Sequence, residues 1–276
     1  MRQSYIASAV GIAALAIAGA ALATAPAVPP QQDKAIEEAV AYPGRLATNR
    51  YRDQYRHPVE TLRFFGAKPT QTIVEIWPGG GWYTEILGPL TKGKGTLYVA
   101  GPNPDSLRNV RSFKLTDKGN FSHLKEATFP AFAATDARVP DGTADLVLTF
   151  RNVHNWRMGY LRDKQDYSPE AFKQIFAMLK KGGTLGIEDH RLPESADAER
   201  ERTSGYIKVS TIKKLAKDAG FKFAGSSEVN ANPKDSADWT DGVWTLPPSL
   251  RLKDQDRAKY LAIGESDRMT LKFVKP

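Results

Sequence analysis

The chain has 276 residues and no cysteine, which excludes disulfide bonds, thiolate nucleophiles and cysteine-ligated metal sites. With 41% hydrophobic and 25% charged residues it has ordinary globular composition, and its length fits one α/β domain of roughly 200–250 residues with appendages. The 39 lysines and arginines outnumber the 31 acidic residues but are scattered, so no nucleic-acid partner is expected.

The first 25 residues have the order of a secretory signal peptide. Arg2 precedes an apolar run from Ile6 to Leu22, and small residues suited to cleavage follow. The run is short and alanine-rich for an uncleaved membrane anchor, the competing interpretation. We expect a periplasmic or secreted protein with no stable membrane span after cleavage. Residues 26–48 are predicted to form a lead-in and a helix capped by Asp33, and residues 49–276 the main domain.

A strand, a glycine-rich turn and a helix follow one another between Thr72 and Leu90. In open α/β sheets this arrangement holds a nucleotide-like ligand, because glycines let the backbone approach the ligand and the helix N–H groups face it. The alternative is a turn whose glycines serve only strand-to-helix packing. The residues predicted to bind a ligand here are Glu75, Pro78, Gly79, Gly80, Gly81, Trp82, Tyr83 and Thr84.

Glu75 narrows the choice of ligand. A carboxylate near the end of a buried strand is costly to leave unpaired. It is useful beside a cationic group, such as the sulfonium and amino groups of S-adenosylmethionine. A nicotinamide-binding turn normally has a third glycine and an uncharged strand before it, so this turn disfavours a nicotinamide oxidoreductase.

The string from Glu75 to Leu87, Glu-Ile-Trp-Pro-Gly-Gly-Gly-Trp-Tyr-Thr-Glu-Ile-Leu, resembles motif I of the class I S-adenosylmethionine-dependent methyltransferases. It is similar to a bacterial group of predicted, often exported, methyltransferases. The resemblance implies a Rossmann-like α/β fold, in which seven mostly parallel strands with the last antiparallel carry helices on both faces. It also implies S-adenosylmethionine as the cofactor.

In that family an N-terminal segment lies across the cofactor cleft. Here Arg52, Arg56 and His57 precede a helix predicted from Pro58 to Phe65. They could contact the ligand carboxylate or an anionic substrate. The alternative is a solvated basic start of a helix.

The chain departs from the family pattern after the second predicted strand, which ends at Ala100. The family carries an acidic residue there, whereas this chain has Gly-Pro-Asn, so the resemblance implies Asn103 or Asp105 as the substitute. Residues 106–130 are predicted to form a helix and a loop. Asp136 then matches a short Asp-Ala signature whose aspartate contacts adenine in the family.

Polar side chains follow two further predicted strands, and the family's sheet order places these strands side by side. Asn152 and His154 follow a strand ending at Phe150, and Asp189 and His190 follow a strand over residues 184–187. We predict His154 as general base and Asn152 as the residue that orients substrate, with Asp189 or His190 tuning or replacing the base. Capping and core packing are the structural alternative, and a metal site lacks a spacing motif.

The rest of the chain completes the predicted domain. A helix capped by Ser168 is predicted to end at Gly182, a second runs from Ser210 to Gly220, and residues 228–262 read as an insertion before a final strand. The sequence predicts an S-adenosylmethionine-dependent methyltransferase with a small, unidentified acceptor. The alternative is a non-catalytic exported ligand-binding protein on the same scaffold.

Overall fold

The computed structural model describes residues 30–276, and the side chains from residue 33 onward. The predicted signal peptide lies outside the described residues. Within the described part, no helix combines the length and the hydropathy needed to cross a membrane.

The core of the fold is one twisted sheet of eight strands. The strands are β1 (Thr72–Ile76), β2 (Thr96–Gly101), β3 (Lys125–Thr128), β4 (Ala144–Phe150), β5 (Leu179–Leu192), β6 (Ile207–Lys208), β7 (Lys222–Ser227) and β8 (Arg268–Val274). Their order is β3-β2-β1-β4-β5-β8-β7, and the two-residue β6 pairs with β5 beside this row. Strands β1 to β5 are parallel to one another, whereas β8 is antiparallel to β5 and β7. The predicted Rossmann-like sheet with an antiparallel last strand is confirmed.

Helices cover both faces of the sheet. They are α1 (Pro30–Val40), α2 (Ala47–Arg50), α3 (Asp53–Arg56), α4 (Pro58–Phe65), α5 (Thr84–Thr91), α6 (Arg108–Thr116), α7 (Lys118–Phe121), α8 (Val153–Arg157), α9 (Ser168–Met178), α10 (Val209–Asp218) and α11 (Arg257–Ile263). Short 3₁₀ turns occupy Pro104–Leu107, Ala198–Arg202 and Gly242–Thr245.

Alternation along the strands divides the core into two layers. In β4, Leu146 and Leu148 pack with α1, α4 and α5, whereas Val147 packs on the opposite face with α8, α9 and α10. In β1, Ile73 belongs to the first layer and Val74 to the second, so Glu75 points toward the face that carries α5. This alternation fixes which side chains reach the carboxyl-end edge of the sheet.

Several element boundaries differ from the predictions. Helix α1 begins at Pro30, not Asp33, and its Ile36 is fully buried in the domain core, so α1 packs as part of that domain. Strand β3 was not predicted, because its sequence Lys-Glu-Ala-Thr has no apolar alternation at this sheet edge. The residue before Ser168, Tyr167, occupies the cap position of α9, and α9 ends at Met178 since β5 already begins at Leu179.

Candidate functional site

The largest group of predicted site residues meets at a cavity of about 530 Å³. The cavity lies at the carboxyl ends of β1 and β4, where open α/β sheets bind their ligands. Its walls are formed by the glycine turn after β1, the segment after β4, His190 in β5, residues 46–56, part of the insertion and the loop before β8.

The glycine turn presents bare backbone to this cavity. Pro78, Gly79, Gly80 and Trp82 line it, and a Cβ added at Gly79 or Gly80 would meet no atom within 4 Å. Gly79 has φ +57°, a conformation that glycine adopts without strain. At Gly81 the situation differs, because a Cβ would lie 2.5 Å from the Phe113 ring. Gly79 and Gly80 therefore leave space for a ligand, whereas the missing side chain of Gly81 leaves space for the Phe113 ring.

Glu75 does not line the cavity. Its carboxyl group is buried and accepts a 2.6 Å hydrogen bond from Thr84 Oγ1, which ties the end of β1 to the start of α5. Burial raises the pKa of Glu75 to about 7, although the Thr84 bond and Arg151 oppose the rise. The hypothesis that this carboxylate directly contacts a cationic ligand group has no support in the cavity walls. Ligand contact by Glu75 stays a prediction, and in the structure its carboxyl group joins β1 to α5.

The raised pKa of Glu75 makes protein stability depend on pH. The folded state holds the Glu75 proton up to about pH 7, whereas the unfolded state releases it near pH 4.5. The stability contributed by this group is therefore full below pH 4.5 and is lost as pH rises through 7, with a total change of about 3 kcal/mol. We expect Glu75→Gln to match the wild type in urea unfolding at pH 4.5 and to exceed it at pH 8. Stability curves that run parallel, as expected for the exposed control Glu60→Gln, would contradict this assignment.

The remaining residues predicted in the turn pack in the interior. Tyr83 is buried and stacks on Phe150 with ring centroids 3.5 Å apart. Trp82 lines the cavity, donates its indole N–H to the Asn49 carbonyl at 2.9 Å, and lies beneath the guanidinium groups of Arg45 and Arg56. Among the predicted turn residues, Gly81, Tyr83 and Thr84 do not line the cavity, so ligand contact by them stays a prediction.

The polar residues after β4 and β5 come together as predicted, because β4 and β5 are parallel neighbours with Phe150 opposite Glu188. His154 Nδ1 lies 2.7 Å from Asp189 Oδ1, and the His154 backbone N–H donates to Asp189 Oδ2 at 3.1 Å. A buried carboxylate accepts hydrogen bonds, so it fixes the tautomer of His154 that carries its proton on Nδ1. His154 lines the cavity, and its Nε2 is left as the proton acceptor.

His190 lies beside this pair, with ring centroids 5.0 Å from His154. Its Nδ1 is 2.6 Å from Ser266 Oγ. Burial lowers the pKa of His190 well below its usual value, and His154 and nearby arginines lower it further, so this imidazole stays neutral. His154, Asp189 and His190 place ligand-type atoms within 4.8 Å of one another. Both Asp189 oxygens already accept hydrogen bonds, which favours a hydrogen-bonded cluster over a metal site.

Asn152 joins the glycine turn to the segment that carries His154. Its Nδ2 donates to the Ile76 carbonyl at 3.0 Å and to Thr149 Oγ1 at 3.2 Å, and it lies 3.4 Å from the Trp77 carbonyl. The side chain lines the cavity as well. Asn152 therefore fixes the distance between the turn and the histidine. Its predicted role in orienting substrate stays a prediction.

The N-terminal segment forms the opposite wall through arginines. Arg52 and Arg56 line the cavity, and both bind the Glu265 carboxylate, Arg52 at 2.6 Å and Arg56 at 3.1 Å. Arg56 is buried, which argues against a solvated helix start, whereas His57 does not line the cavity. Ligand contact by these residues stays a prediction. Burial would raise the pKa of Glu265, but Arg56, Arg268 and Arg52 outweigh burial and hold the pKa at about 2.

Three further charged residues at or behind this wall were not predicted from the sequence. Arg151 follows β4 directly and pairs with Glu188 at 3.2 Å, while Arg268 pairs with both Glu188 and Glu265. Glu265 and Arg268 come from the other end of the chain, and no local pattern marks them. The position of Arg151, directly after a buried strand, was the one feature of the sequence that could have indicated a site residue.

A second cavity of about 350 Å³ adjoins the first across Trp77 and Gly79. Asn103 lines it, as expected for the position after β2, and its Oδ1 accepts from the Ser106 backbone N–H. None of the residues that line this cavity is acidic. Asp136 does not line it, because its carboxylate accepts from the backbone N–H groups of Phe132 and Ala133 in a local turn.

No protein-family model and no curated protein matches the chain. Solved structures match its fold. A methyltransferase from Aquifex aeolicus described as S-adenosylmethionine-dependent is 15% identical, with 88% of this chain and 98% of that chain covered and a TM-score of 0.54. The cyclase SpnF is 12% identical, with coverage of 89% and 94% and a TM-score of 0.56.

A phosphoethanolamine N-methyltransferase from Haemonchus contortus, solved in complex with S-adenosylmethionine, is 16% identical, with coverage of 88% of this chain and 56% of that chain and a TM-score of 0.53. The chain therefore has the Rossmann-like fold of the class I methyltransferases. At these identities the likeness shows the fold alone, and the chemistry depends on the residues of the site.

Proposed function

We propose that this protein is an S-adenosylmethionine-dependent methyltransferase that acts on a small acceptor through His154 as general base. One observation carries the proposal: His154, held by the buried Asp189, lines the same cavity as the bare backbone of Gly79 and Gly80. A bare turn suits a nucleoside-like cofactor, and a positioned neutral imidazole suits an acceptor with an O–H or N–H group.

The residues at the turn fit the cofactor. The backbone at Gly79 and Gly80 would hold it against the carboxyl end of β1, where an added Cβ would meet only open space. Asn103 stands at the end of β2, beside the smaller cavity, where its amide can hydrogen-bond a ribose hydroxyl. When bound, S-adenosylmethionine supplies an electrophilic methyl group on sulfur.

The chain's own residues then position the acceptor and take its proton. Asp189 keeps the proton of His154 on Nδ1, so that Nε2 can accept a proton from the acceptor as its nucleophilic atom attacks. His190 stays neutral beside it and adds no competing cation. The amide of Asn152 keeps the turn and the histidine in register, which supplies the proximity that such displacements need.

The rival function is a non-catalytic ligand-binding protein, and one observation favours it. The residues lining the smaller cavity include no carboxylate to grip ribose hydroxyls at the end of β2. The fold alone does not decide between the two functions, since SpnF has the same fold and is described as a cyclase.

We also propose that the mature chain is exported. The proposal rests on the composition of residues 1–25, and fractionation of cells expressing a tagged chain would test it.

Gly80→Ala tests the turn directly. The new methyl meets no protein atom, so the fold should be unaffected, but it would occupy space that the cofactor needs. Crowding of this kind costs about 1–3 kcal/mol, so we expect calorimetry to show S-adenosylmethionine binding weakened roughly 10-fold. The matched control is Gly119→Ala in α7, which does not line the cavity.

The same titrations separate the candidate functions. Wild-type protein that ignores both S-adenosylmethionine and S-adenosylhomocysteine at millimolar concentration would end the methyltransferase proposal. Tight cofactor binding without methyl transfer to any fraction of a metabolite extract would favour the ligand-binding protein.

A further inference from the structure

The wall of the larger cavity carries more positive than negative charge. Of the ionisable residues that line it, three are arginines, one is a glutamate and two are histidines. The glutamate, Glu265, is shared with a third guanidinium from Arg268, so it cannot neutralise Arg52 and Arg56 one for one. Glu188 lies behind this wall and pairs with Arg151 and Arg268, so four guanidinium groups share two carboxylates. A ligand in this cavity therefore meets a wall with an excess of positive charge.

Two of these arginines have donors to spare. Arg52 uses Nε on Glu265, while its Nη2 is buried with no hydrogen-bond partner among the described residues. Arg151 lines the cavity and uses Nη1 on Glu188, and among the described residues its guanidinium group makes no other hydrogen bond. A buried donor without a partner costs stability, and an anionic ligand is the partner that satisfies it most strongly.

The backbone of Arg151 points to the same conclusion. Arg151 has φ +61°, in the left-handed region that is strained for a residue with a side chain and where glycine would be free of strain. Its backbone N–H donates to the Glu188 carbonyl at 2.7 Å, which holds the residue in this conformation. Strain retained at a cavity wall indicates that the side chain is needed there.

The position of Arg151 indicates which ligand it serves. Arg56 packs over Trp82 and so lies next to the glycine turn, on the side predicted for the cofactor. Arg151 instead precedes Asn152 and His154 on the segment that carries the general base. An anion held by Arg151 would place the rest of its molecule beside His154.

We propose that the methyl acceptor is a small anion, a carboxylate or a phosphate, whose charged group binds Arg151, with Arg52 as a second donor. This inference rests on the proposed function. The group that His154 deprotonates is a second functional group of that molecule. A bidentate guanidinium contact gives such a site its selectivity for planar or tetrahedral oxyanions over neutral analogues.

The test measures anion binding by calorimetry at constant ionic strength, with S-adenosylhomocysteine saturating. Benzoate and inorganic phosphate are the two probes, and benzamide is the neutral match for benzoate. We expect one of the two anions to bind and benzamide not to bind. Arg151→Gln should weaken that anion about 10-fold or more while S-adenosylhomocysteine affinity stays within about twofold. The exposed Arg138→Gln is the control, and thermal unfolding checks that each variant is folded.

Three outcomes would overturn the proposal: neither anion binds, Arg151→Gln leaves anion binding unchanged, or Arg151→Gln weakens S-adenosylhomocysteine as much as it weakens the anion. The last outcome would assign the arginine to the cofactor carboxylate. Arg52→Gln serves as the second variant if Arg151→Gln fails to fold. Loss of anion binding in Arg151→Gln, together with no cofactor binding by the wild type, would leave the anion site standing and defeat the methyltransferase proposal.

Discussion

Replacing His154 with glutamine should lower the turnover number for methyl transfer by about 10²- to 10⁴-fold, the usual contribution of a positioned general base. The variant removes the proton acceptor but keeps a polar side chain of similar size, so the fold and the glycine turn should survive. The measurement is formation of S-adenosylhomocysteine with an acceptor pool from a metabolite extract, at saturating S-adenosylmethionine. Cofactor affinity should be unchanged, because no contact of His154 supports the turn directly.

Asp189→Asn provides the companion measurement. It keeps the size of the side chain but can present an N–H group to Nδ1, which favours the wrong tautomer of His154. We expect a loss in turnover comparable to that of His154→Gln, and no further loss in the double variant. His123→Gln is the matched control, since His123 bonds Thr91 away from the cavity. Full turnover in His154→Gln would remove this residue from the chemistry.

Glu265→Gln should destabilise the protein by about 3 kcal/mol or more at neutral pH. The substitution leaves the guanidinium groups of Arg52, Arg56 and Arg268 without the carboxylate that they share, and broken buried pairs typically cost about 3–5 kcal/mol. Because the folded pKa of Glu265 is held at about 2, its stability contribution is present above pH 4.5 and is lost as pH falls toward 2. Wild type and variant should therefore converge in urea unfolding at acid pH.

A double variant distinguishes charge from shape. Glu265→Gln combined with Arg56→Met removes one uncompensated cation and keeps an unbranched side chain over Trp82, so it should recover part of the lost stability. Glu60→Gln, at an exposed position, should be neutral within about 0.5 kcal/mol. If the losses of unfolding free energy in the two single variants simply added in the double variant, the Arg56–Glu265 pair would not contribute as a pair.

The fold could be predicted from the sequence where local chemistry is decisive. The strand from Thr72 to Ile76, its glycine turn and the helix closed by Gly66 follow from short-range rules and are confirmed. Strand β3 could not be predicted, because Lys125–Thr128 becomes a strand only through its pairing with β2. The start of α9 was one residue off, because the Ser168 hydroxyl donates to Asp166 Oδ1 and accepts no helix N–H, so Ser168 is the first residue of the helix and not its cap.

The candidate site was predictable on one side only. Asn152, His154, Asp189 and His190 could be placed together because parallel neighbouring strands end at one edge. The wall of arginines and Glu265 could not be predicted, since the bond between Arg52 and Glu265 joins residues 213 positions apart. The interior position of Glu75 follows from its side of the strand, which the sequence pattern of β1 does not reveal.

That long separation bears on how the molecule is made. The glycine turn and the strands that carry His154 and Asp189 are synthesised well before Glu265 and Arg268, yet the wall opposite them is closed only by those late residues. Strands β1 to β5 can thus bring the glycine turn together with His154 and Asp189, but without the later residues they cannot enclose a ligand. A chain cut before Glu265 would therefore lose β8, through which β7 joins the sheet, and would have an open trough in place of the cavity.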